Sequence, residues 1–396
     1  MVDAFDLLMP EIKFGPGKFQ DLAEIIKKYG DKVLLLTGGS SLKKSGHYQQ
    51  LIDVLKDMSI DAYTEKVRGE PSPELVDEIV AIYREKGLEL VVAIGGGSVM
   101  DAGKAISALL TKDGSVMDYL EGVGAGMIHD GEKIPFIAVP TTSGTGSEAT
   151  KNAVLSRVGE NGFKKSLRHD NFVPDLALVD PELTLGCPAS ITAASGMDAL
   201  TQLMGAYLST NANPMIDSLC LKATEYALEA VLPVSTDQPD NLALRSKMAY
   251  ASLVSGIALA NVGLGIVHGL ASPIGGFFDI PHGVVCGTLL GEASALNIRL
   301  LQEKNTEEAD FYLQKYARVG TFLSDDQNYI PAKKDYYCDL LINTLRDWVV
   351  ELDIPRLGKY GVSEDDLDKI VEKTGIKNNP VELAKEDIKQ LLIKRL

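Results

Sequence analysis

The sequence predicts an α/β domain built on a largely parallel sheet, followed by an all-helical domain. Two observations carry this. In the first half, short apolar runs that end in glycine or proline alternate with stretches of helical period, which is the pattern of βαβ units. After Pro181 the β-rich runs stop and long helical stretches take over. The strands are read at VLLLT (33–37), IDAYTEKV (60–67), LELVVAIGGG (88–97), IPFIAVPTT (134–142) and LALVD (176–180). Helices are read at 48–57, at about 73–86 and from Val99 onward, then at 214–231, 241–260, 306–323 and 334–350. Pro181, Gly186 and Pro188 punctuate the change, so the domains are expected at 1–185 and 186–396.

The chain has 396 residues, enough to bury a large core. It carries 39 Lys plus Arg against 55 Asp plus Glu, a net charge of −16. Nucleic acid and anionic membrane surfaces call for the opposite sign, so neither is expected as a partner. Cys187, Cys220, Cys286 and Cys338 are scattered without metal-like spacing and read as buried free thiols. The start of the chain has no secretory pattern, and no run of about 18 apolar residues is present. A cytoplasmic location is the expectation.

Gly95-Gly96-Gly97-Ser98 stands between the strand LVVAI and the helix VMDAGKAISALL. Strand, glycine turn and helix bring bare backbone N–H groups to an anion at a helix N-terminus. Ser98 is expected to cap that helix. A second loop, Pro140 to Glu148, also leaves a buried strand and is rich in hydroxyls and glycine, with Glu148 placed to complete a capping box. Two such loops at strand ends suit a Rossmann-like nucleotide site. A third, Gly38-Gly39-Ser40-Ser41, has no acidic residue through Gly46, and Lys43 and Lys44 follow closely. An acidic side chain there would hold a ribose 2′-hydroxyl. Its absence suits a 2′-phosphate, so NADP is favoured, with NAD as the other option.

Among five histidines, His268 and His282 bracket a glycine-rich apolar stretch, and Asp198 sits in SGMDALTQL, read as the start of a helix. Gln202 is four residues on and shares a helix face with Asp198. One carboxylate and two imidazoles form a candidate divalent-metal site. The other reading is that they only support the fold.

Taken together, KFGPGKFQDL, GGGSVMDAGKA, PTTSGTGSEAT, PDLALVDPEL, GMDALTQ and VHGLASPIGGFFDIPHG resemble the iron-containing (group III) alcohol dehydrogenase family over nearly the whole chain. The resemblance implies a dehydroquinate synthase-like architecture with the active site between the two domains. It implies that Gly96, Gly97, Ser98 and Asp101 contact the pyrophosphate region. It places Thr141, Thr142 and Thr145 on the nicotinamide side, with Asn152 and Lys164 near the ribose. It implies a metal, iron or zinc, on Asp198, His268 and His282, and assigns these three to catalysis.

The family's fourth ligand is a histidine where this chain has Gln202, and a further family histidine is Ser272 here. An amide oxygen is a weaker ligand than imidazole, so weaker binding of iron or zinc is expected. The activity implied is interconversion of a small alcohol and its aldehyde or ketone, in a homodimer or larger homo-oligomer. The N-terminal MPEIKFG strand is a candidate for pairing across subunits. A metal-independent or catalytically inactive nucleotide-binding relative is the alternative. A lyase of the dehydroquinate synthase branch is a third reading, against which the PTTSGTGSEAT loop stands.

Overall fold

The apolar runs of the first half form one six-stranded, wholly parallel sheet. The computed structural model of the chain describes residues 4–39, 41–325 and 328–396. The sheet strands are β1 (Glu11–Phe14), β2 (Lys32–Thr37), β3 (Asp61–Lys66), β4 (Leu90–Gly95), β5 (Phe136–Pro140) and β8 (Leu176–Val179), in the order β1-β8-β5-β4-β2-β3. Helices α1 (Leu22–Lys27), α2 (Ser41–Lys44), α3 (His47–Asp57), α4 (Pro73–Tyr83) and α5 (Gly97–Leu109) complete the wound part.

Period-two alternation explains why the strands read as unbroken apolar runs. Val33, Leu35, Val92 and Val139 face α1 and α3, whereas Leu34, Leu36, Val91 and Ala138 face α4 and α5. Both faces are dry, as a parallel sheet requires. From β2 the chain runs outward to β3, then returns to β4 and continues the other way to β5. The loops after β2 and β4 therefore flank a topological switch point, the place where such sheets bind ligands.

Between β5 and β8 lies an antiparallel hairpin, β6 (Asn152–Arg157) with β7 (Phe163–Arg168), which the apolar pattern does not reveal. Its strands carry Arg157, Lys164, Lys165 and Arg168 and lack a continuous apolar run. β1 pairs in parallel with β8 of its own sheet, register Glu11 with Leu176. The N-terminal strand is thus an edge strand of its own sheet, with one side taken by β8.

From Ala189 every regular element is helical among the described residues. These are α6 (Ala189–Tyr207), α7 (Pro214–Ser235), α8 (Leu242–Val262), α9 (Ile266–Phe277), α10 (His282–Lys304), α11 (Glu307–Thr321), α12 (Lys334–Glu351), α13 (Leu367–Lys373) and α14 (Lys385–Ile393). They share one apolar core. By length and composition α10 could cross a membrane, but 72% of its apolar window is packed inside the fold.

Asp198 is not near a helix start, as the sequence suggested, but in the middle of the 19-residue α6. Ser98 does not cap α5 either. The capping position is Gly96, which makes no side-chain cap. Glu148 forms no capping box, because residues Ser147–Ala149 make only a short 3₁₀ turn.

Candidate active site

Neighbouring strands deliver the two glycine loops side by side. Gly95 pairs with Pro140 at the ends of β4 and β5, and the Thr141 N–H donates to the Gly95 carbonyl at 2.9 Å. The loops then touch where side chains are missing. A Cβ on Gly97 would lie 2.6 Å from Thr145 Oγ1, and one on Gly96 would lie 3.3 Å from Thr142 Oγ1. With no side-chain cap on α5, its first turn faces the cleft with bare backbone. The donor set and the glycine cradle fit a dinucleotide pyrophosphate.

A cleft of about 620 Å³ runs from this cradle to the helical half. Gly96, Gly97, Ser98, Thr142, Thr145, Asn152 and Lys164 line one end, and Asp198, Gln202, His268, Ser272 and His282 the other. Thr141 is outside this lining and acts through its backbone. Ser40 lies outside the described residues, and only the backbone of Ser41 is described. Gly38 and Gly39 follow β2 directly, and a Cβ on Gly39 would meet nothing within 4 Å.

Asp101 stands in the cleft wall, but its carboxylate is engaged. It accepts from Ser147 Oγ at 2.5 Å and lies 3.8 Å from Lys104 Nζ. Lys104 is buried inside α5 and donates to the Thr150 carbonyl and hydroxyl and to the Asn152 carbonyl. This pair ties α5 to the second loop and the hairpin. Lys164 Nζ pairs with Glu70 at 3.0 Å, and Asn152 Nδ2 contacts Ser166 Oγ at 3.4 Å. Ser272 donates to the Lys164 carbonyl at 2.8 Å, so it fastens α9 to β7.

Glu148, close by, is fully buried with Oε2 unpartnered. Burial lifts its carboxyl to about 7, and burial lowers the Lys104 ammonium to about 8. The folded-state value for Glu148 lies above the ordinary 4.5. Stability is therefore lost as pH rises from 4.5 through 7, and the full penalty stands above that. Glu148→Gln is expected to gain about 2 to 3 kcal/mol at pH 8 and nothing at pH 4 in urea unfolding. An equal gain at both pH values would contradict this.

The metal candidates converge from three helices. Asp198 comes from mid-α6, His268 from the first turn of α9, and His282 opens α10. His268 Nε2 is 3.3 Å and His282 Nε2 3.8 Å from Asp198 Oδ1. Yet Asp198 Oδ1 is buried with no hydrogen-bond partner, as is His282 Nδ1. Close approach without hydrogen-bond geometry, around an orphaned carboxylate oxygen, fits a shared cation.

Burial pushes the Asp198 carboxyl up, but the His282 and His268 imidazoles outweigh it and hold it at about 2. Burial also drives His282 down to about 4, against the pull of Asp198. An ionised carboxylate beside a neutral imidazole is the protonation state that metal binding requires.

Gln202, one turn beyond Asp198, turns its amide nitrogen to the Gly144 carbonyl at 3.4 Å and leaves Oε1 buried without a partner. Ser252 Oγ accepts from the Gly144 N–H at 2.9 Å, so two helices grip the second loop. The contact is tight: a Cβ on Gly256 of α8 would lie 1.9 Å from the Gly146 carbonyl oxygen.

Cys286 reads in the sequence as one of four scattered thiols, but it joins the Asp198, His268 and His282 cluster. Its spacing of four from His282 is the signal that points there. Burial and the Asp198 charge raise its thiol well above the usual range. The remaining histidines are held elsewhere. His129 contacts the Ala108 carbonyl of α5 and accepts from the Gly131 N–H, His169 accepts from the Asn171 N–H, and His47 packs edge-on to Phe19.

Comparison with known proteins agrees with this geometry. The family model described as iron-containing alcohol dehydrogenase matches residues 10–181. The C-terminal model of the Fe-containing alcohol dehydrogenase family matches residues 192–396. The chain is 33% identical to long-chain-alcohol dehydrogenase 1 of Geobacillus thermodenitrificans, covering 95% of this chain and 93% of that one. It is 34% identical to 1,3-propanediol dehydrogenase of Citrobacter freundii, over 93% and 92% of the two chains. Among solved structures, sulfoacetaldehyde reductase of Bifidobacterium kashiwanohense in complex with NAD+ superposes with TM-score 0.83 at 28% identity, covering 100% and 99%. With both halves matched and the cleft between them built as described, the chain belongs to the iron-containing alcohol dehydrogenase family of oxidoreductases.

Proposed function

We propose that this protein is an NADP(H)-dependent oxidoreductase that interconverts a small alcohol and its aldehyde or ketone in the interdomain cleft. The observation that carries this reading is the meeting, in one cavity of about 620 Å³, of a glycine cradle for pyrophosphate and a buried Asp–His–His cluster. Asp198, His268 and His282 would hold a divalent iron or zinc ion. When bound, the ion supplies Lewis acidity that polarises a substrate oxygen. The protein's own part is positioning. The backbone of α5 and the Thr142 and Thr145 loop hold the dinucleotide, and Gln202 and Ser252 hold that loop at the metal end. A bound nicotinamide dinucleotide would supply the hydride chemistry, and the cleft lined by both halves would hold it and the substrate together.

The acid-free turn at Gly38 and Gly39 supports NADP over NAD. The metal-independent alternative would have His268 or His282 donate a hydrogen bond to the carbonyl oxygen; burial lowers His282 to about 4, so it would donate as the neutral imidazole. The relatives act on different alcohols by name, among them 1,3-propanediol, choline and methanol, so the family does not select one substrate.

The test is oxidation of NADPH and of NADH across an aldehyde panel, and reduction of NADP and NAD across the matching alcohols. The protein is purified without chelator and its metal measured. NADPH turnover with at least one small aldehyde is expected. No turnover with any pair, or tighter binding of NADH, would count against the reading. The reading includes a cytoplasmic homodimer, and only a 42.6 kDa species in light scattering would oppose the assembly.

A further inference from the structure

We propose that Cys286 is the fourth protein ligand of the metal site, giving a donor set of one carboxylate, two imidazoles and one thiolate. This rests on the metal-dependent reading above.

The geometry carries it. Cys286 Sγ lies 3.6 Å from His268 Nε2 and 3.7 Å from His282 Nε2. A tetrahedron with metal–nitrogen bonds of about 2.1 Å and metal–sulfur of about 2.3 Å has N···S edges of about 3.6 Å. Its N···O edges are about 3.4 Å, and the His–Asp198 approaches are 3.3 and 3.8 Å. All four donor atoms lie within 4.8 Å of one another. Four of the six edges of such a polyhedron are thus close to their bonded lengths.

The local structure explains why. His282 and Cys286 are one turn apart on α10, so both face α6 and α9. Asp198 presents its orphaned oxygen from α6. The other contender for the fourth corner, Gln202, turns its nitrogen to Gly144 and keeps Oε1 buried and unpartnered. Only a neutral amide oxygen is left there, a poorer ligand than sulfur for zinc.

Binding must expel the thiol proton to solvent, so uptake of a divalent ion releases a proton. Carboxylate and thiolate together neutralise a divalent charge, which tempers the ion's pull on a substrate oxygen. A substrate oxygen would then enter as a fifth ligand, an expansion that zinc sites make.

The experiment loads the full-length protein with cobalt(II) and records its near-ultraviolet spectrum. A thiolate-to-cobalt charge-transfer band is expected in the unmutated protein. Cys286→Asp should bind cobalt without the band. Cys286→Ala should lose zinc affinity by about 100-fold or more, beyond the usual effect of removing an outer partner. Thermal melts of the metal-free proteins show that each variant is folded.

Bound cobalt without the band overturns the thiolate and leaves the dehydrogenase reading standing. Unchanged zinc affinity in Cys286→Ala does the same. The band without turnover on any alcohol or aldehyde supports the site and counts against the activity. Failure of the unmutated protein to take up cobalt or zinc overturns the proposal.

Discussion

Asp198→Asn is expected to lower kcat/KM by about a thousandfold, close to 4 kcal/mol of transition-state stabilisation. The substitution keeps the size of the side chain and removes its charge. Among the described residues Asp198 is the carboxylate that clusters with His268, His282 and Cys286, and it is buried with Oδ1 unpaired. Without that charge the site loses its strongest attraction for a divalent ion, and the two imidazoles lose the group that faces them. Metal content of the purified variant should fall in parallel. The fold should survive, because an amide in this position is no harder to bury than an ionised carboxylate. Activity within tenfold of the unmutated protein, at unchanged melting temperature, would show that the cluster is not where the chemistry occurs.

Gly39→Asp is expected to weaken NADPH binding by 10- to 100-fold while leaving NADH within a few-fold. The position is exposed and a Cβ there meets nothing within 4 Å, so the new side chain enters without steric cost. What it brings is charge. A carboxylate about 5 Å from a 2′-phosphate costs about 3 kcal/mol per charge at an effective dielectric of about 20. Solvent exposure reduces this to about 1.4 to 2.8 kcal/mol, which corresponds to that loss of affinity. Titration of intrinsic fluorescence with each reduced cofactor measures it. An equal loss for both cofactors would mean that the turn after β2 does not meet the ribose.

Residues that work through local backbone are legible in the sequence itself. Gly96 and Gly97 follow an apolar strand and open a helix, and that order alone brings bare N–H groups to one point. The i, i+4 relation of Asp198 and Gln202 is likewise readable, because helical period is a property of neighbours in the chain. The same spacing relates His282 and Cys286, but a buried thiol is the common fate of cysteine, so that signal is outweighed in the sequence alone. The β6–β7 hairpin escapes the sequence pattern for a related reason. Its strands carry charge and lack a continuous apolar run, and the hairpin is held by packing on α5 and α9.

The order of the sheet strands along the chain, the glycine turns and the change to an all-helical half were settled by the sequence, since each follows from the period of apolar residues and from residues that break it. Which side chains share a point in space was decided only by the tertiary structure. Asp101 lines the cleft by its place on α5, and only the fold shows that it also accepts from Ser147 and lies near Lys104, because α5 crosses the second loop there. Gln202 shares a helix face with Asp198 by spacing, and only the fold shows that its nitrogen turns to Gly144, 58 residues away, while its oxygen stays unpartnered. Cys286 reads as a core thiol, yet the crossing of α6, α9 and α10 sets it 3.6 Å from His268. Helix crossings depend on how whole faces interlock, and that information is spread over dozens of side chains rather than written in any one motif.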